Sequence, residues 1–130
     1  MDRTTTPKDE AIVRAIRVIN DQHVLADALI NRSKRIKLYF IPVYYCALGA
    51  LAKDCNISDD YLMDVSYGGY QYDLYPQLRK CFPLEDIDFE DIRLANDRTH
   101  KTKRKNAVNK VLWSFLTPNA KLANPYLEPV

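Results

Sequence analysis

Residues 51–65, Leu51-Ala52-Lys53-Asp54-Cys55-Asn56-Ile57-Ser58-Asp59-Asp60-Tyr61-Leu62-Met63-Asp64-Val65, decide how this chain is read. Two helices that cross steeply need a small residue where they touch, and Ala52 supplies it. Four residues later the turn needs a residue that tolerates positive φ, and Asn56 is the best choice after glycine. Leu51, Cys55, Ile57, Leu62 and Val65 fall where apolar contacts are required, and Ser58 stands where it can cap the second helix. The pattern is that of a helix-turn-helix corner, spanning about residues 44–67.

The outward face of the second helix is acidic. Ser58, Asp59, Asp60, Met63, Asp64 and Tyr67 would face a partner, with no lysine or arginine among them. Binding to a phosphate-lined groove depends on neutralising negative charge, so this is not a DNA-reading face. A two-helix corner of purely structural purpose, or a surface for a basic protein partner, suits it better.

Working towards the N-terminus, Leu38, Ile41, Tyr45, Leu48 and Ala52 share one helical face, which predicts a helix to about Asp54. Pro42 must kink it or restart it. The alternation Ile36, Leu38, Phe40 equally permits a short strand, so residues 36–40 stay open between strand and helix. The first helix is expected from Pro7, capped by Thr6, with Asp9 and Glu10 complementing its dipole. Its apolar stripe, Ile12, Val13, Ile16, Ile19, His23, Ala26 and Ile30, carries it to about Ile30.

Towards the C-terminus, Asp59 and Asp60 begin a short helix that Gly68-Gly69 ends. The stretch from Tyr70 to Pro83 reads as a loop or broken helix, and helical character returns from about Asp88 to Ala95. A polar, basic stretch follows. Val108, Val111, Leu112 and Phe115 then share a face of a further helix from Arg104, which Thr117-Pro118 stops. The end of the chain reads as extended unless Tyr126 and Leu127 dock. The expected architecture is all-α: one domain over residues 1–130, a compact orthogonal bundle of five or six helices, with flexible ends at about 1–6 and 118–130.

Charge is unevenly distributed. Residues 1–56 carry a net +3, residues 57–92 a net −7 and residues 93–130 a net +6. An acidic middle beside a basic C-terminal third implies either two partner surfaces or one domain whose halves neutralise each other. The segment Arg98-Thr99-His100-Lys101-Thr102-Lys103-Arg104-Lys105 holds five permanent positive charges in eight residues. Arg98, Lys101, Lys103, Arg104, Lys105 and Lys110 are therefore the candidate phosphate contacts, with Lys34, Arg35 and Lys37 as a second group. The ordinary alternative is a solvated basic loop.

Other chemistry finds little support. Cys46, Cys55 and Cys81 form no CxxC, and only His23 and His100 could join them, so no metal site or cofactor is expected. Buried reduced thiols are the simpler reading, and Cys46 with His23 is read as two buried structural residues. Glu85, Asp86, Asp88, Glu90 and Asp91 are consecutive enough to be a helix start, whereas two-metal catalysis needs carboxylates from separate elements. Glycine occurs three times, and no phosphate-binding loop, GxSxG or HExxH is present, so no enzyme is expected. The longest apolar run is short of a membrane span, and Met1 leads into a charged segment, so a cytoplasmic protein is expected.

Two functions follow. One is a small nucleic-acid-associated regulatory protein that binds phosphates through the basic C-terminal segment. The other is a protein-binding inhibitor or adaptor that uses the acidic, tyrosine-rich centre: Asp59, Asp60, Asp64, Tyr67, Tyr70 and Tyr72.

Overall fold

The computed structural model describes residues 6–32, 43–68 and 73–130. It is an all-α helical bundle. The described elements run α1 (Pro7–Asp21), β1 (Asn31–Arg32), β2 (Val43–Tyr44), α2 (Ala47–Asp54), α3 (Asp59–Gly68), α4 (Leu74–Arg79), α5 (Asp86–Asp97), α6 (Arg104–Ser114) and α7 (Pro118–Ala123). Short 3-10 turns at Lys101–Lys103 and Pro125–Leu127 complete them. The described residues thus hold seven α-helices where five or six were expected, because α4 and α7 are short turns of helix in stretches read as irregular.

The corner forms as its residues require. Asn56 has φ 65°, the one positive-φ residue other than glycine among those described. Its N–H donates to Lys53 O at 3.0 Å and the Ile57 N–H donates to Ala52 O at 3.0 Å, so the backbone closes tightly over Ala52. Leu51, Ala52 and Leu62 are fully buried, and the Tyr61 N–H donates to Ser58 Oγ at 3.1 Å, the expected N-terminal cap.

The first two predicted helices are shorter than their periodicity implied. α1 stops at Asp21, and Gln22 is extended with ψ 139°. Leu25 then bridges Tyr45, the Ala26 N–H donates to Tyr45 O at 2.9 Å, and the Cys46 N–H donates to Ala28 O at 3.0 Å. Residues 25–28 therefore pair part of their backbone with a distant strand-like segment and do not continue the helix. Leu25, Ala26, Leu29 and Ile30 still reach the core. Likewise α2 begins only at Ala47, where Cys46 caps it, with Val43–Tyr44 in a two-residue antiparallel ladder against Asn31–Arg32. Residues 36–40 lie outside the described residues.

One contiguous apolar core joins residues from Ala11 to Leu127, with Tyr75, Phe82 and Phe89 its largest fully buried side chains. Tyr75 stacks on Phe89 with ring centroids 5.2 Å apart. Gly49 on α2 faces the backbone of residue 29 so closely that a Cβ there would stand 1.9 Å from Leu29 O. Close packing in this region thus depends on Gly49, where α2 meets the segment before β1, besides the small Ala52. Two buried polar residues tie distant elements. Asn96 Oδ1 accepts from the Ala47 N–H at 3.0 Å and its Nδ2 donates to Ala26 O at 2.9 Å. Asp9 closes a capping box with Thr6 and also accepts from the Thr117 N–H at 3.0 Å and the Thr117 hydroxyl at 2.9 Å.

The end of the chain docks. Thr117 caps α7, Leu127 is buried, and the Arg17 guanidinium donates to the Tyr126 hydroxyl. The extended shape expected for residues 118–130 gives way to helix and 3-10 turn for that reason.

Candidate nucleic-acid interface

Arg98 caps the C-terminal end of α5, the chain makes the 3-10 turn at Lys101–Lys103, and α6 begins at Arg104. The basic run therefore lies at the junction of two helices packed on each other. Its six cations divide into two kinds. Arg104 and Lys105 are half-buried and hold backbone. Arg104 Nε donates to Thr99 O and Nη1 to Leu25 O, each at 3.0 Å. Lys105 Nζ donates to Asn20 O at 3.2 Å and Gln22 O at 2.6 Å. These are carbonyls at the C-terminal end of α1, where unpaired acceptors carry partial negative charge and favour an ammonium. Arg98, Lys101, Lys103 and Lys110 are exposed.

None of the six cations forms an ion pair with a carboxylate among the described residues. The ion pairs there use other cations: Lys8 with Asp88, Arg14 with Asp54, Lys53 with Asp59, Arg79 with Asp86, and Arg93 with Glu90 and Asp97. Neutralisation of the acidic middle is thus the work of residues outside the run 98–110. Lys34, Arg35 and Lys37 lie outside the described residues.

Next to the run is an open cleft of about 340 Å³ whose lining includes His23, Leu25, Asp27, Tyr44, Lys101 and Arg104. Arg104 enters it with two of its nitrogens already engaged on backbone carbonyls, so its guanidinium is held in place before any ligand arrives. Tyr44 brings an aromatic ring, and His23 and Lys101 bring further donors. His23 is exposed, which corrects its reading as a buried structural residue. Cys46 is buried, and its Sγ accepts from the Gly49 N–H at 3.5 Å. The signal for the correction was present in Asn20-Asp21-Gln22-His23, four polar residues in a row that end an apolar stripe. The role of Tyr44 carried no such signal.

Asn106 and Asn109 do not join the exposed cations. Asn106 Nδ2 donates to Val130 O, and Asn109 is buried with Nδ2 donating to Asn20 Oδ1 at 2.7 Å. The run reads as phosphate-binding in sequence along its whole length, but the folded chain engages Asn106 with Val130 and buries Asn109.

The acidic candidates also divide. Asp59 is engaged, by Lys53 Nζ at 3.0 Å and by the Tyr45 hydroxyl at 2.9 Å. Asp60 and Asp64 are exposed. Tyr67 is on α3 and its side chain is outside what is described, as are Tyr70 and Tyr72. Within the acidic run 85–91, Asp86 pairs with Arg79, and Asp88 Oδ2 accepts from the Glu85 N–H in a capping box. Glu90 accepts from Arg93 and from the buried Tyr75 hydroxyl. The Arg93 hydrogen bond, ahead of the opposing effect of burial and with help from Tyr75, holds Glu90 below the usual carboxylate range. Burial, then the neighbouring carboxylate, pushes the Tyr75 phenol up. These carboxylates belong to the fold.

No protein-family model, curated protein or solved structure matches the chain. Among the described residues no helix is long and apolar enough to cross a membrane.

Proposed function

We propose that this protein binds nucleic acid by its phosphate backbone and acts as a small regulatory factor. Arg98, Lys101, Lys103 and Lys110 make the contacts, and Arg104 presents a fixed guanidinium at the adjacent cleft. The observation that carries this reading is the lack of ion pairing along 98–110 among the described residues, in a chain whose other described elements pair arginine and lysine with carboxylates repeatedly. Exposed cations that are not neutralised within the molecule are the ones that can displace counterions from a phosphate chain. Asn106 and Asn109 are engaged elsewhere and the outward face of α3 is acidic, so affinity without strong sequence preference is expected.

The test is fluorescence anisotropy with labelled single-stranded and duplex oligonucleotides at two salt concentrations. Four phosphate contacts weaken affinity roughly a hundredfold between 50 and 200 mM salt. Replacing Arg98, Lys101, Lys103 and Lys110 together by Gln should remove that salt dependence. Absence of binding by the wild-type chain at low salt would overturn the proposal.

A second reading rests on Asp60 and Asp64, exposed side by side on α3 beyond the engaged Asp59. They suit a basic protein partner, with the chain acting as inhibitor or adaptor. A complex recovered with the wild type and unchanged by Asp60→Asn with Asp64→Asn would count against that face.

A further inference from the structure

Two of the three cysteines come together from different elements. Cys55 is the C-cap of α2, at the turn, and Cys81 follows the end of α4. Both are half-buried, and both line one cleft of about 460 Å³ together with Ser58, Tyr61 and Lys80. A third element holds their surroundings together. Arg14 on α1 donates from Nε to Asp54 Oδ2 at 3.1 Å and from Nη2 to Cys81 O at 2.6 Å. One guanidinium thus grips the residue before one cysteine and the backbone of the other. Cys46 is apart from them, buried in the cap of α2.

We propose that Cys55 and Cys81 are a redox modification site, forming a reversible intramolecular disulfide by exchange with a low-molecular-weight disulfide such as oxidised glutathione. Both residues sit at helix ends and not in helix interiors, where turn backbone can adjust to disulfide geometry. The cleft gives a small disulfide access to both.

The chemistry is thiol–disulfide exchange in two steps. Burial, and then the Cys81 thiol against it, push the Cys55 thiol up, so the two side chains act on each other within the cleft. Either cysteine, once deprotonated, begins the exchange. Its thiolate attacks one sulfur of oxidised glutathione, the glutathione S–S bond breaks, and one glutathione thiolate leaves. The other cysteine then loses its proton to solvent, and its sulfur attacks the protein sulfur of the mixed disulfide, expelling the second glutathione. Two protein thiols are oxidised by two electrons, and one glutathione disulfide becomes two glutathione thiols. The product closes the chain from 55 to 81 around α3 and ties the corner to the end of α4. This inference is independent of nucleic-acid binding.

The experiment equilibrates the full chain in glutathione redox buffers, quenches with acid, and measures intact mass and peptide linkage. The expected product is a monomer lighter by two hydrogens with Cys55 joined to Cys81, restored by reductant, and with a higher urea midpoint than the reduced form. Cys55→Ser and Cys81→Ser should each stop at the mixed disulfide, with a glutathione adduct on the remaining cysteine of the pair. The wild-type measurement requires no variant to fold. A stable glutathione adduct without internal linkage, a bond that uses Cys46, linkage only between chains, or no oxidation at any buffer composition would each overturn the proposal.

Discussion

Around the α2–α3 corner, Lys53 lies 3.0 Å from Asp59, and Arg14 lies 3.1 Å from Asp54. Along the edge at 98–110, cations reach backbone carbonyls or solvent, and no described carboxylate meets them. The two regions carry opposite formal charge, and the fold treats them differently. In the acidic region the folded chain supplies counterions from α1, α2, α4 and α5, and Asp59, Asp86, Asp88 and Glu90 are paired, so the surface presents less charge than the residue count implies. At the basic edge the same count survives in large part to the surface. Charge along a sequence is therefore a poor measure of charge offered to a partner; the difference lies in what the tertiary neighbours provide.

The comparison can be broken hardest where the two regions share the core. Gly49→Ala puts a methyl group against Leu29 O, and backbone cannot give way as a flexible side chain would. The expected loss is about 3 kcal/mol by urea denaturation, on the scale of overpacking. Should the variant keep wild-type stability, the close approach of α2 to residue 29 is wrong. Asn96→Ala is next. It leaves the Ala47 N–H and the Ala26 carbonyl without their partner, which costs about 2 kcal/mol for buried groups and loosens the joint between the corner and the helix that leads into the basic edge.

Asp9 adds a pH test. Burial pushes its pKa up, but hydrogen bonds from Thr6 and Thr117 outweigh that and leave it below the ordinary carboxylate value. A depressed folded-state pKa contributes stability that is fully present above the unfolded value, about 3.9, and is lost as pH falls through the lower folded value. Glu90 has the same sign. Thermal melts from pH 6 down to pH 2 should show stability falling in that window, and Asp9→Asn should be less stable at pH 6 and flatter below it. A melting temperature that rises on acidification would refute the assignment.

The smallest effects sharpen the contrast within the basic edge itself. Arg104→Gln and Lys105→Gln should each cost about 1 kcal/mol, because backbone acceptors lose a charged donor. Gln at Arg98, Lys101, Lys103 or Lys110 should change stability by less than about 0.5 kcal/mol. Equal losses from both sets, measured by chemical denaturation, would erase the division between anchoring and presented cations.

Legibility followed how local each requirement was. The corner could be read because a small residue, an αL-tolerant asparagine and a capping serine fall within seven positions and answer to one another. α5 and α6 could be read from their apolar faces. The true end of α1 could not, since Leu25, Leu29 and Ile30 continue the helical spacing while their backbone pairs with Tyr45 and Cys46. The division of the basic run was equally hidden. Nothing near Lys105 announces that the end of α1 will bring Asn20 and Gln22 beneath it. Nor does anything near Cys55 announce Cys81.

The amino-acid order by itself determined an all-α chain, the position of its corner, and the run of cations at 98–105. Those properties depend on steric preference, side-chain periodicity and covalent neighbourhood, which a chain carries before it folds. Only the tertiary structure decided which cations face water, which carboxylates are neutralised, where the first helix stops and which two thiols share a cleft. Each of these depends on a partner dozens of residues away, brought into contact by burial of the common core.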